Sequence, residues 1–177
     1  MPDRTYAVLT DSACDLPYAL EKEAGIDIMN FGITVDGTAY TEREDFEFDQ
    51  YYAMLRKCEG VPSTAHVTSP RFLQRFEAYD DAGLKEVLYV SINAGGSATN
   101  DAAHMAAREF KKSRPNSQMT ITIVDSHCYS MAYGWFLVKA MERLDAGEAM
   151  AEVAARLRGV FPRVAIVAGP YRSLFHL

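Results

Sequence analysis

The sequence predicts an α/β fold with a mainly parallel sheet and helices on both of its faces. Two observations carry that expectation. Strand-like apolar runs alternate with helix-period segments along the chain, the mark of repeated strand-helix-strand units. The run "VLYV" (87–90) is apolar at every position and "ITIV" (121–124) at all but Thr122, as expected of strands covered on both sides. At 177 residues, a single domain over 1–177 is the default, and such a chain buries roughly 70% of the surface it exposes when unfolded.

"YAVLTDS" (6–12) reads as the first buried strand. A short helix follows, with Pro17 in its first turn and Gly25 past its end. "IDIMNFGITVDGTAYTE" (26–42) reads as a strand and a hairpin, because Asp36-Gly37 is a turn signal between alternating apolar positions. Phe48, Tyr51, Tyr52 and Leu55 recur at helical spacing, and "VPSTAHV" (61–67) is a short extended piece. Ser69 and Pro70 open a helix whose face is Phe72, Leu73 and Phe76.

"EVLYVSI" (86–92) is the next strand. The helix over 97–112 then shows Ala98, Ala102, Met105, Ala106 and Phe110 on one side. "MTITIVDS" (119–126) is a strand, and residues 128–145 form an apolar helix carrying Met131, Trp135, Leu137, Val138 and Met141. "GEAMAEVAARLRGVF" (147–161) is a last helix, and "RVAIVAG" (163–169) a last strand.

The formal net charge of -6 disfavours nucleic acid, which needs clustered Lys and Arg to neutralise phosphates. The basic run "KKSR" (111–114) reads as a solvated helix end. Cys14, Cys58 and Cys128 lack Cys-x-x-Cys spacing, and no signal peptide precedes them, so a reduced, cytoplasmic compartment is expected. No apolar stretch approaches the roughly 20 residues of a membrane span. His66, His104, His127 and His176 lack metal-ligand spacing, so no metal is expected.

Four loops follow strand-like runs and carry small hydroxyl or acidic residues: 10–15, 63–66, 92–99 and 124–130. In a parallel sheet they open on one edge, where folds of this kind bind ligands. Ser97 either only caps the helix after Gly95-Gly96, or sets the Ala98 and Thr99 amides before an anion, aided by the helix dipole. Thr64 reads as a strand-end hydroxyl bonded to backbone. Asp11 reads as the cap of its following turn, and His66 and His127 read as surface residues. No nucleophile-base pair, G-x-S-x-G or P-loop lysine pattern is present.

These segments, taken in order, resemble the DegV family of bacterial fatty-acid-binding proteins. "TDSACDLP" (10–17) is similar to the family's T-D-S-x-x-D-L-P, and "PSTAHVTSPRF" (62–72) to its P-x-T-S-Q-P-x-x-x-x-F. "INAGGSATNDAA" (92–103) is similar to I-S-S-x-L-S-G-T-Y-x-x-A, and "VDSHCYSMAYG" (124–134) to I-D-S-x-x-x-S-x-G-x-G. "SLFHL" (173–177) resembles T-L-x-x-L, which in the family runs on into G-G-R-I. The departures are Ala65, His66 and Val67 for S-Q-P, Gly96 for the leucine before the serine, and Ala98 for the glycine after it.

The resemblance implies a DegV N-terminal domain-like fold that binds a long-chain fatty acid. It places the carboxylate on the hydroxyls of Thr64 and Ser97, and the tail in an apolar tunnel. It also implies a partner, a separate fatty acid kinase that phosphorylates the bound acid to acyl-phosphate for phospholipid synthesis. The binding protein supplies no catalysis and takes no cofactor; the fatty acid is its ligand. Family members continue for roughly another hundred residues into a second domain, which is expected to be absent from this chain. The alternative is a phosphotransferase or hydrolase acting on a small phosphorylated substrate at the same anion site. The lack of a Lys or Arg in the four loops weighs against it.

Overall fold

The computed structural model describes residues 4–165. Four parallel strands form the main sheet: β1 (Tyr6–Asp11), β2 (Asp27–Met29), β6 (Glu86–Ser91) and β7 (Thr120–Asp125), in the order β2-β1-β6-β7. All three pairings are parallel, so the four carboxyl ends share one edge. Among the described residues, six helices connect and cover the strands: α1 (Tyr18–Ala24), α2 (Phe48–Leu55), α3 (Ser69–Asp81), α4 (Thr99–Ser113), α5 (Met131–Asp145) and α6 (Met150–Val160).

Alternate residues of a strand point to opposite faces, and the two halves of the core follow that period. Val8, Leu88, Val90 and Val124 pack with Tyr133, Leu137 and Met141 of α5 and Val153 and Leu157 of α6. Leu9, Val87 and Tyr89 pack the other way, against Phe72 and Phe76 of α3 and Ala102, Ala106 and Phe110 of α4. The sheet is therefore sandwiched, as the apolar runs require.

The remaining strands, β3 (Gly32–Val35), β4 (Thr38–Thr41) and β5 (Ser63–Ala65), form a separate antiparallel sheet in the order β4-β3-β5. The expected hairpin is present. Asp36 (φ 48°) and Gly37 (φ 81°) occupy its two-residue turn, where positive φ at both positions suits the twist of the flanking strands. The segment 63–66, however, does not end a strand of the parallel sheet. β5 is an edge strand of the small sheet, with Thr64 opposite Ile33. The cause is local: the chain leaves β2 at Met29 and enters β3 at Gly32, too soon to cross over, and the hairpin it forms recruits β5.

Several smaller expectations shift. Pro17 stands just before α1, and Thr68 rather than Ser69 precedes α3. Met105 and Trp135 are exposed, because the buried stripes run through Ala103 and Ala106 on α4 and through Tyr133, Leu137 and Ala140 on α5. Trp135 instead lies under the Lys139 ammonium, 4.8 Å from its ring centroid. Phe161–Arg163 is a 3₁₀ turn, and most of the strand expected over 163–169 lies outside the described residues, as does the motif at 173–177. No described helix is long and apolar enough to cross a membrane.

Candidate functional site

Three loops leave the carboxyl edge of the main sheet and are tied together. Asn93 N–H donates to the Cys128 carbonyl (3.0 Å), Ser126 N–H to that of Ser91 (3.2 Å), and Ser130 N–H to that of Ala13 (2.9 Å). Asp125 accepts from the amides of Ala94 (3.1 Å) and His127 (2.8 Å). The His127 ring stays at the surface, with Nδ1 3.1 Å from Asp125. Asp15, His127 and Ser130, all in these loops, have positive φ (52°, 52° and 56°). Backbone in that region costs L-residues free energy and persists only where surrounding contacts hold it.

Asp11 anchors the arrangement from below. It does not cap its turn. Its carboxylate is fully buried and accepts from Tyr133 Oη (2.7 Å), Tyr89 Oη (2.9 Å) and the Ile92 amide (2.9 Å). Burial pushes its pKa up, opposed by those donors, and drives both phenols well above their usual range. One carboxylate thus links the ends of β1 and β6 to the start of α5. Neither tyrosine is legible as part of this network in sequence, where both read as core.

The small sheet is fastened to the same edge. Ser12 Oγ donates to Glu42 (2.5 Å) and accepts from Phe31 N–H (3.0 Å). The Arg71 guanidinium donates to the Asn30 carbonyl (2.9 Å). Arg43, whose side chain is almost completely buried, pairs with Glu21, donates to the Leu16 carbonyl (3.2 Å) and lies 4.3 Å from the centroid of the Tyr18 ring. The Ser12 hydroxyl is therefore committed inside the protein, and Arg43 is a structural cation.

Thr64 lies in the small sheet and Ser97 in a loop of the main sheet. Thr64 is exposed in the middle of β5, on the face of the small sheet that it shares with Ile33. Ser97 is half-buried in the β6–α4 loop. It is not the N-cap: α4 begins at Thr99, with Ala98 before it. Ser97 Oγ accepts the Thr99 amide at 3.3 Å and lies 2.9 Å from Thr99 Oγ1. One of the two amides expected to face a ligand is thus taken by Ser97 itself. The Ala98 amide and the rest of the first turn have no intrahelical acceptor.

The glycines of this loop also differ from expectation. Neither Gly95 nor Gly96 has positive φ. Gly96 is instead covered by Tyr129. A Cβ at position 96 would meet Tyr129 Oη far inside the 3.0 Å limit of real contacts and stand 3.1 Å from Cζ. Tyr129 Oη accepts from Asn93 Nδ2 at 3.1 Å.

A separate cleft of about 680 Å3 between α5 and α6 is lined by Phe136, Arg143, Val153, Arg156 and Leu157. At the amino end of β1, Asp145 accepts from Arg4 and Tyr6 (2.8 and 2.6 Å). Among the described residues, no group of three or more His, Cys, Asp or Glu could hold a metal ion.

The family described as "Uncharacterised protein, DegV family" matches residues 5–167. A DegV domain-containing protein of Clostridium perfringens is 29% identical over 153 residues, covering 85% of this chain and 51% of its own. Among solved structures, a fatty-acid-binding DegV family protein from Thermus thermophilus superposes with a TM-score of 0.75 at 24% identity, over 89% of this chain and 53% of that one. A Thermotoga maritima protein described as revealing a fatty acid binding function gives 0.77 at 23% identity, over 89% and 55%. At such identities these likenesses establish the fold. The chain spans about half the length of the curated relatives it matches.

Proposed function

The chain belongs to the DegV family, and from that premise we propose that it binds a long-chain fatty acid, holding the carboxylate with the hydroxyls of Thr64 and Ser97. The observation that carries this reading is the state of the two hydroxyl residues: Thr64 is exposed, and Ser97 is half-buried beside the exposed Gly96 and Ala98. Ser97 Oγ already accepts the Thr99 amide. Ser97 Oγ and Thr99 Oγ1 lie 2.9 Å apart and either can donate, so only one of the two hydroxyl protons is used between them and the other is left for an acceptor such as a carboxylate. The helix N-terminus behind it favours negative charge.

Burial of the tail is favourable by about 0.8 kcal/mol per CH₂, so the tail supplies most of the affinity and the hydroxyls set where the head rests. The far wall of the tail's tunnel is a second domain beyond these residues, as the greater length of the relatives suggests. A separate cytoplasmic fatty acid kinase then phosphorylates the presented carboxylate to acyl-phosphate, which feeds phospholipid synthesis. The chain itself is a carrier and catalyses no step.

The test is to purify the protein, extract it with organic solvent and identify the lipid by mass spectrometry, for wild type and Ser97→Ala. Wild type should carry fatty acid, and the variant should bind it about tenfold more weakly, the effect of one lost hydrogen bond to a charged group. A variant that holds fatty acid as well as wild type refutes the site. Turnover of a phosphate ester by the protein alone refutes the carrier role.

A further inference from the structure

The loop that carries Ser97 holds a donor that neither the family pattern nor the reading of the two hydroxyls includes. Glycine at position 96 is not required by the backbone, since its φ is not positive. It leaves room for Tyr129, whose phenol lies where a Cβ at position 96 would sit. In the family pattern that position is a leucine, which would need this phenol to swing away.

We infer that Tyr129 is a further donor to the acid head, seated beside Ser97 because Gly96 admits it. This rests on the fatty-acid reading above. Three features support it. Tyr129 is 42% exposed, so its ring lies over the loop's outer surface and is not packed inside. Its oxygen already accepts from Asn93 Nδ2, which leaves the phenolic proton for an outside acceptor. Finally, the loop brings no cation: residues 92–99 contain no Lys, Arg or His. The loop itself therefore offers a head group only neutral O–H and N–H donors. That chemistry suits a singly charged carboxylate more than a phosphate dianion, which usually enlists Arg, Lys or a metal. The ligand class is thus a monocarboxylic acid, and Tyr129 sets how its head is held.

Titration of the full chain with sodium octanoate, followed by the ¹H–¹⁵N signals of Gly95, Gly96 and Ala98, tests this on wild type, Tyr129→Phe, Gly96→Ala and Ser97→Ala. Tyr129→Phe keeps the ring and loses only the hydroxyl, and should weaken octanoate about tenfold. Gly96→Ala evicts the phenol while leaving the tyrosine in the sequence, and should weaken it to a similar degree. The double variant should bind no more weakly than the poorer of the two. Wild-type affinity in Tyr129→Phe, with Ser97→Ala weakened, overturns the role of Tyr129 and leaves the carrier reading standing. Wild-type affinity in both, or no octanoate binding by wild type, overturns the two together.

Discussion

Gly134→Ala should destabilise the protein although it replaces a glycine inside a helix. In an open helix that exchange gains up to about 1 kcal/mol, because alanine loses less backbone entropy on folding. Gly134 is not in the open. A Cβ there would stand closer than 3.0 Å to the carbonyl oxygen of Cys14, 3.2 Å from Met131 Sδ and 3.4 Å from the Cys14 carbonyl carbon. Two of these three atoms are backbone, in the 3₁₀ turn Ser12–Cys14 held by Asp11 and by the Ser130–Ala13 bond. The turn cannot swing aside as a side chain would, so α5 must lift off it. Overpacking of this kind costs about 1–3 kcal/mol, which offsets the propensity gain and leaves a net loss of up to about 2 kcal/mol. The matched control is Gly159→Ala on α6, where a Cβ meets nothing within 4 Å; it should be neutral or stabilising. Urea unfolding of the two variants and wild type, compared at constant slope, gives both signs in one experiment. Equal stabilisation by the two substitutions would refute the close seating of α5 on the first loop.

The buried carboxylate offers two more tests. Tyr133→Phe removes one donor from Asp11 without changing shape and should cost about 1.5–3 kcal/mol in urea unfolding; no change would mean that the phenol does not serve the carboxylate. Because burial raises the Asp11 pKa in the folded state, the folded protein holds the proton to a higher pH than the unfolded chain. The stability from that proton is complete below the unfolded value of about 4 and is lost as pH rises toward the folded one. The deficit of Asp11→Asn relative to wild type should therefore shrink as pH rises above about 4, and a deficit that grows would contradict the assignment.

The main sheet is legible because its strands are short apolar runs that need no partner to be recognised: "VLYV" is buried at every position. The turn at Asp36-Gly37 is legible because its chemistry is local. β5 is legible as an extended piece but its sheet is not, since "STA" has no period of its own and pairs with β3, some thirty residues earlier. The Asp11 network is illegible for the same reason: Tyr89 and Tyr133 lie 78 and 122 residues away and differ in no sequence feature from core aromatics. Gly96 shows the limit of motif reading. A glycine before a helix suggests a turn or a ligand's approach, whereas here it marks the room taken by Tyr129. Of the two hydroxyl residues chosen from sequence, Ser97 lies in a loop of the main sheet as expected, and Thr64 belongs to the attached small sheet.

The most direct test of the carrier reading is a crystal structure of the protein with oleate. The carboxylate should lie within hydrogen-bond distance of Thr64 Oγ1 and Ser97 Oγ, with the tail running away from α4 over apolar surface. A carboxylate bound elsewhere, or Thr64 and Ser97 too far apart to share one head group, would contradict it.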